Sequence, residues 1–198
     1  MAEKKLLMDE YILTTSEQAL KNIQNSYKLT KELVDLYLQS NCKSICIVAS
    51  GSSSNGSTAA KDFMRRYLGV SVEIMPPFTF THYNHDLVEN SFTVVVSQSG
   101  ISTNCIDALK KLRELGKTAI GITANVKNDF KDYADIEIDY GVVEEKEPYV
   151  TKEKENCQKC YASFLYAVFP GSWKKNGIYN RRNLSGEKGT ADRCIYGL

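Results

Sequence analysis

The amino-acid sequence predicts an α/β fold, a mostly parallel sheet covered by helices on both faces. Two observations carry that expectation. Five apolar runs centred near residues 45, 72, 94, 120 and 137 alternate with helical patterns. Two chemically similar Ser/Gly-rich segments follow the runs near 47 and 94, where open sheets of this class hold their ligands. At 198 residues the chain is long enough for one domain with a proper core and too short for two of ordinary size.

The elements follow in order. Thr15-Ser-Glu-Gln18 has the form of a capping box, and Ala19, Leu20, Ile23, Tyr27, Leu33, Leu36 and Tyr37 then make one stripe of a long amphipathic helix. Lys43–Ser50 reads as a buried strand, Gly51–Ser57 as a loop, and Ala59, Ala60, Phe63, Met64 and Tyr67 as a helix ended by Gly69. Val70–Met75 is the second strand, closed by Pro76-Pro77 before a short segment that holds His82 and His85. Phe92, Val94, Val95 and Val96 form the third strand, and Ile106, Leu109 and Leu112 place a helix after it. Lys117–Thr123 is the fourth strand and Asp129–Ala134 a short helix or turn. Asp135–Asp139 alternates charged and apolar residues, as an edge strand exposed on one side would. The tail differs in kind: a helix is expected over about residues 151–169 and weak order after it, where the sequence becomes rich in Arg, Asn and Gly.

Composition narrows the function classes. Twenty-five basic residues balance 24 acidic ones for a net charge of +1, so neither a nucleic acid nor an anionic membrane is an expected partner. No run reaches the roughly 18 to 20 apolar residues of a membrane span, and the acidic N-terminus does not read as a secretory signal, so the expected location is the cytoplasm. Cys157-Gln-Lys-Cys160 and His82-Tyr-Asn-His85 have metal-ligand spacing, but no metal is expected, because a chain with this many strands has a core without one. Cys42, Cys46 and Cys105 read as small buried hydrophobes.

The segment that points to chemistry is Ser97-Gln-Ser-Gly-Ile-Ser-Thr103, between a Val-rich strand and a helix. A helix start leaves backbone N–H groups unpaired and carries partial positive charge, so short hydroxyl side chains around a permissive glycine can wrap an oxyanion without lysine or metal. A single hydroxyl there would be an ordinary N-cap; several around one glycine favour a ligand. Gly51-Ser-Ser-Ser-Asn-Gly56 lacks the GxGxxG spacing of a dinucleotide site, and no P-loop lysine follows it.

Taken together, Ala49-Ser-Gly-Ser-Ser53, Ser97-Gln-Ser-Gly100 and Glu145-Lys-Glu-Pro-Tyr-Val-Thr-Lys152 resemble the sugar isomerase (SIS) family of phosphosugar-binding domains, over roughly residues 8–152. The closer likeness is to the first half of its two-domain members. The resemblance implies a three-layer, Rossmann-like αβα sandwich with a five-stranded parallel sheet. It divides the chain into an N-terminal helix at 1–40, a phosphosugar-binding core at 41–152 and a divergent segment at 153–198. It also implies that Ser97, Gln98, Ser99 and Ser102 hold the phosphate of a sugar 6-phosphate, with Gly51, Ser52 and Ser53 of the earlier segment contributing. Family members often carry Glu-Thr after the glycine; Ile101-Ser102-Thr103 here keeps the hydroxyl and loses the carboxylate.

Aldose–ketose isomerisation needs a base to move a proton between C1 and C2 and a group to open the ring. By position Glu145 and Lys152 match the family's acidic and basic residues, although both also read as solvated charges, and His82 lies where a ring-opening histidine could act. No cofactor is implied. After Lys152 the likeness ceases at Glu153-Lys-Glu-Asn-Cys-Gln-Lys-Cys160, which is the pattern expected if the reading frame shifts and a second SIS domain is lost. Two readings stay open: a phosphosugar isomerase or deglycase that completes its sites as a homodimer or homo-oligomer, and a catalytically incomplete phosphosugar-binding module.

Overall fold

The structure, a computed structural model, describes residues 17, 20–124 and 128–141. Its centre is a five-stranded sheet built from β1 (Ser44–Ala49), β2 (Ser71–Met75), β3 (Phe92–Val96), β4 (Ile120–Thr123) and β5 (Ile136–Asp139). The strands run in the order β2-β1-β3-β4-β5 and every pair is parallel. β1 and β3 are buried throughout apart from the first residue of β1, as β-branched runs covered on both faces should be. The edge strands β2 and β5 turn Glu73 and Asp139 to solvent, a charge pattern that discourages edge-to-edge pairing.

Strand alternation divides the core in two. On one face Ile45, Ile47, Ala49, Val94, Val96 and Ile122 pack with Leu33 and Val34 of helix α1 (Ser26–Ser40) and with Ala60 and Met64 of helix α2 (Gly51–Leu68). On the other, Cys46, Val48 and Val95 pack with Cys105, Ala108, Leu109 and Leu112 of helix α3 (Thr103–Glu114), with Phe80 and Val88, and with Phe130 of the short helix α4 (Phe130–Tyr133). This is the expected three-layer αβα sandwich. No described helix is long and apolar enough to cross a membrane.

Two details differ from the sequence reading. The N-terminal helix is not one uninterrupted element: a turn at Asn25 separates helical residues 20–24 from α1. Backbone bonding runs on through it, Asn25 N–H to the Lys21 carbonyl at 3.0 Å and Leu29 N–H to the Asn25 carbonyl at 3.1 Å. The Asn25 side chain bonds the same Lys21 carbonyl at 2.9 Å, the local competition that makes Asn a poor interior helix residue. The Thr15-Ser16 capping box lies outside the described residues.

Second, Gly51–Ser57 is not a loop but the first two turns of α2. Ser57 and Thr58 return their hydroxyls to the carbonyls of Ser53 and Ser54 at 2.8 and 2.9 Å, which satisfies the side chains inside the helix. Small residues are needed there, because Ser53, Gly56, Ser57 and Ala60 are all buried against the sheet. The histidine-bearing segment after β2 is a run of helical turns, α-helical at Pro77–Thr79, π-helical at Phe80–Asn84 and 3₁₀ at His85–Val88.

The cysteine reading holds for Cys46 and Cys105, each 1% exposed; Cys42 is half-buried and also carries a free thiol. Burial, reinforced by the Glu73 carboxylate, pushes the Cys46 thiol up to about 12, and burial raises Cys105 and Tyr37 in the same direction. A raised folded-state pKa means that the native state keeps a proton that the unfolded chain releases. The stabilisation is complete below the ordinary thiol value of 9.0 and is lost as pH climbs toward about 12. Urea midpoints should therefore fall as pH rises from about 9 toward about 12, and Cys46→Ala should flatten that fall. An equally steep fall in the variant would remove Cys46 as its source.

Candidate functional site

In the order β2-β1-β3-β4-β5 the connections leave β1 and β3 toward opposite sides of the sheet. Their carboxyl ends therefore part and open a crevice, the switch point at which ligands bind in such sheets. Ala49 pairs with Val96, so the chain leaving β1 as Ser50-Gly51 and the chain leaving β3 as Ser97-Gln98 start side by side.

The β1 side of the crevice is the head of α2. Ser50 is its extended N-cap, at φ −132° and ψ 166°. Gly51 follows at φ +57°, a left-handed conformation that a residue with a Cβ adopts only at a cost. Gly51 is exposed, Ser52 half-buried and Ser53 3% exposed. The β3 side is tighter. Ser97 and Gln98 are 7% and 5% exposed, whereas Ser99 is open to solvent. The Ser97 hydroxyl accepts the Gly100 N–H at 3.2 Å and folds the loop back on itself. Ser102 is the N-cap of α3, and its carbonyl accepts the Ile106 N–H at 2.9 Å. The twelve residues of α3 put three turns of aligned peptide dipoles behind this point.

The backbone of the loop is fixed from the β4 side. Gln98 carbonyl oxygen accepts the Thr123 hydroxyl at 2.9 Å and the Ala124 N–H at 3.1 Å. Thr123 Oγ1 in turn accepts Asn128 Nδ2 at 3.0 Å, and Asn128 Oδ1 accepts the Phe130 N–H at 2.8 Å. Gly100 lies at φ +66°, and a Cβ built on it would fall inside the Asn128 carboxamide.

The expected phosphate residues are thus gathered at one crevice. Glu145 and Lys152 lie outside the described residues, as does Cys157-Gln-Lys-Cys160. His82 is exposed on the helical turn after β2, two residues after Phe80, which lies in the same core cluster as Cys105 and Leu109 of α3, and its ring rests against Phe78 at 4.5 Å. His85 Nδ1 and Thr81 Oγ1 are buried without a hydrogen-bond partner among the described residues. No cluster of three His, Cys, Asp or Glu that could hold a metal occurs among the described residues. Thr123 and Asn128 were not expected at the site. The signal for Asn128 was its place just before a short helix, where an Asx side chain bonds the backbone two residues on.

The loop geometry makes Gly100→Ala costly. Left-handed backbone contributes roughly 1–2 kcal/mol, and the overlap with Asn128 adds typically ~1–3 kcal/mol of overpacking. A chemical-denaturation midpoint should show the loss, and a variant as stable as the parent would mean that the loop does not hold this conformation.

Residues 39–157, more than half the chain, match the SIS domain family model. A glutamine–fructose-6-phosphate aminotransferase (isomerizing) from Caldanaerobacter subterraneus subsp. tengcongensis is 29% identical over 124 residues, 63% of this chain and 19% of the relative. Among solved structures, a phosphosugar isomerase candidate from Clostridium difficile 630 superposes with a TM-score of 0.75 at 23% identity, over 97% of this chain and 53% of its own. The Vibrio vulnificus NanR protein complexed with ManNAc-6P superposes with a TM-score of 0.63 at 13% identity, over 94% of this chain and 69% of its own. The chain thus spans about a fifth of the curated relative and about half of the Clostridium chain. On the extent of the family match, and with the five-stranded parallel sandwich that these structures share, the chain belongs to the SIS domain family.

Proposed function

We propose that the crevice between β1 and β3 binds the phosphate of a sugar 6-phosphate, and that the chain contributes this site to an aldose–ketose phosphosugar isomerase or deglycase. The observation that carries the reading is the Ser97–Ser102 loop, a ring of hydroxyls and amides folded around a left-handed Gly100 at the head of α3. Residues 50–57 and 97–104 contain no lysine, arginine, carboxylate or imidazole. An anion there is held by N–H groups, hydroxyls and the helix dipole. Ser99 and Ser102 are the reachable hydroxyls; Ser97 and Gln98 shape the loop and offer their remaining polar groups, and Gly51, Ser52 and Ser53 close the β1 side. Family membership and the ManNAc-6P complex of a protein of the same fold support a phosphosugar as the ligand.

Proton transfer at C1 and C2 needs groups that these two segments lack. Glu145, Lys152 and His82 are the proposed carriers, with a second copy of the chain completing the site. The same deficit favours the second reading, a phosphosugar-binding module without turnover.

Thermal shift against fructose 6-phosphate, glucosamine 6-phosphate and inorganic phosphate, followed by an isomerase assay on any ligand that stabilises, separates the readings. Turnover selects the enzyme, stabilisation without turnover selects the module, and no stabilisation by any of the three removes the phosphosugar proposal. Ser99→Ala should weaken sugar-phosphate binding by about 1.5–3 kcal/mol, the scale of a hydrogen bond to a charged group. An unchanged calorimetric affinity would take Ser99 out of the site.

A further inference from the structure

We propose that Asn128 is a positioning residue for the phosphate loop: through Thr123 it aims the Ser99 backbone N–H into the crevice. The inference rests on the phosphosugar reading above. It starts from the direction of each hydrogen bond. Phe130 N–H can only donate, so the atom of Asn128 that faces it must be the oxygen. Nδ2 therefore faces Thr123 and donates to Oγ1, at 3.0 Å. The Thr123 hydroxyl has one proton, and it goes to the Gln98 carbonyl at 2.9 Å. Ala124 N–H meets the same carbonyl at 3.1 Å, so the Gln98 oxygen is pinned by two donors at the end of β4.

The Gln98 carbonyl and the Ser99 N–H belong to one planar peptide unit, and no described peptide bond is cis. Turning the carbonyl toward β4 therefore turns the Ser99 N–H the opposite way, toward the β1 side where the crevice opens. Asn128 adds a steric stop, since its carboxamide occupies the space that a Gly100 side chain would fill. At 6% exposure it is sealed from water that could replace its bonds. The carboxamide gives a proton to Thr123 and accepts one from Phe130 at the same time. Aspartate would have two acceptors, and the Thr123 proton would turn to it, leaving the Gln98 carbonyl to the Ala124 N–H alone.

The test uses the full chain with fructose 6-phosphate as probe. Affinity is read by calorimetry, stability by thermal melting, and loop order by amide exchange at Gly100, whose N–H is held by Ser97 Oγ. Asn128→Asp and Thr123→Val should each lower affinity about tenfold, the scale of one oriented hydrogen bond to a charged group. Each should also speed Gly100 exchange, with no further loss in the double variant, because both break one chain. Thr123→Ser keeps the hydroxyl and should restore affinity.

Variants that melt earlier yet bind as the parent does would reduce Asn128 to a structural residue and overturn the proposal. So would unchanged Gly100 exchange in Asn128→Asp. If the parent chain binds no sugar phosphate, the functional reading fails by itself, and Gly100 exchange still decides whether Asn128 orders the loop.

Discussion

Everything at the candidate site depends on the pairing of β1 with β3. Parallel strands buried on both faces favour apolar side chains along their length, Thr93 of β3 excepted, so polar chemistry is concentrated at the strand ends. Of the buried polar residues, Ser53, Ser97, Gln98, Thr123 and Asn128 all follow or end strands at the carboxyl edge of the sheet. Burying such groups costs stability unless each finds a partner. The bonds from Gly100 to Ser97, Thr123 to Gln98 and Asn128 to Thr123 meet that requirement for the groups they join.

An arrangement paid for at folding has little left to organise when a ligand arrives. The Gly100 backbone is left-handed beside Asn128, and the N-terminal amides of α3 are fixed by a helix whose inner face, Cys105, Ala108, Leu109 and Leu112, is packed into the core. Preorganised neutral donors suit a phosphate group well. They supply several directed hydrogen bonds without a mobile cationic side chain that would have to be ordered on binding.

The legible parts of this structure were those governed by local pattern. Ile45–Val48 and Phe92–Val96 declare buried strands through β-branched runs, and Ile106, Leu109 and Leu112 declare the inner face of α3 through their spacing. The head of α2 was misread because a Ser/Gly composition has two physical causes. It marks a loop where the chain turns, and it marks a helix that lies too close to a sheet for larger side chains, as at Gly56, Ser57 and Ala60. The Ser97–Ser102 loop was legible as an oxyanion nest, because hydroxyls and a glycine before a helix have few other uses. Thr123 and Asn128 were not, since they reach the loop from 25 or more residues along the chain, across a strand pair that no local pattern reveals.

The same geometry separates holding the sugar from reacting it. In a hexose 6-phosphate the phosphate and the C1–C2 pair sit at opposite ends of the molecule. On the proposed function the phosphate sits at the head of α3, so the reacting carbons lie at the far end of the sugar from the Ser97–Ser102 loop, whose exposed rim is Ser99 and Ile101. Neither can move a proton, and residues 50–57 and 97–104 contain no carboxylate or imidazole. A base for C1 and C2 must therefore approach from outside the crevice, from another part of this chain or from another body placed over its mouth. A cradle of the proposed kind, which would fix the phosphate and leave the reacting end open, can serve turnover or recognition. What is brought to the rim near Ile101 decides between them.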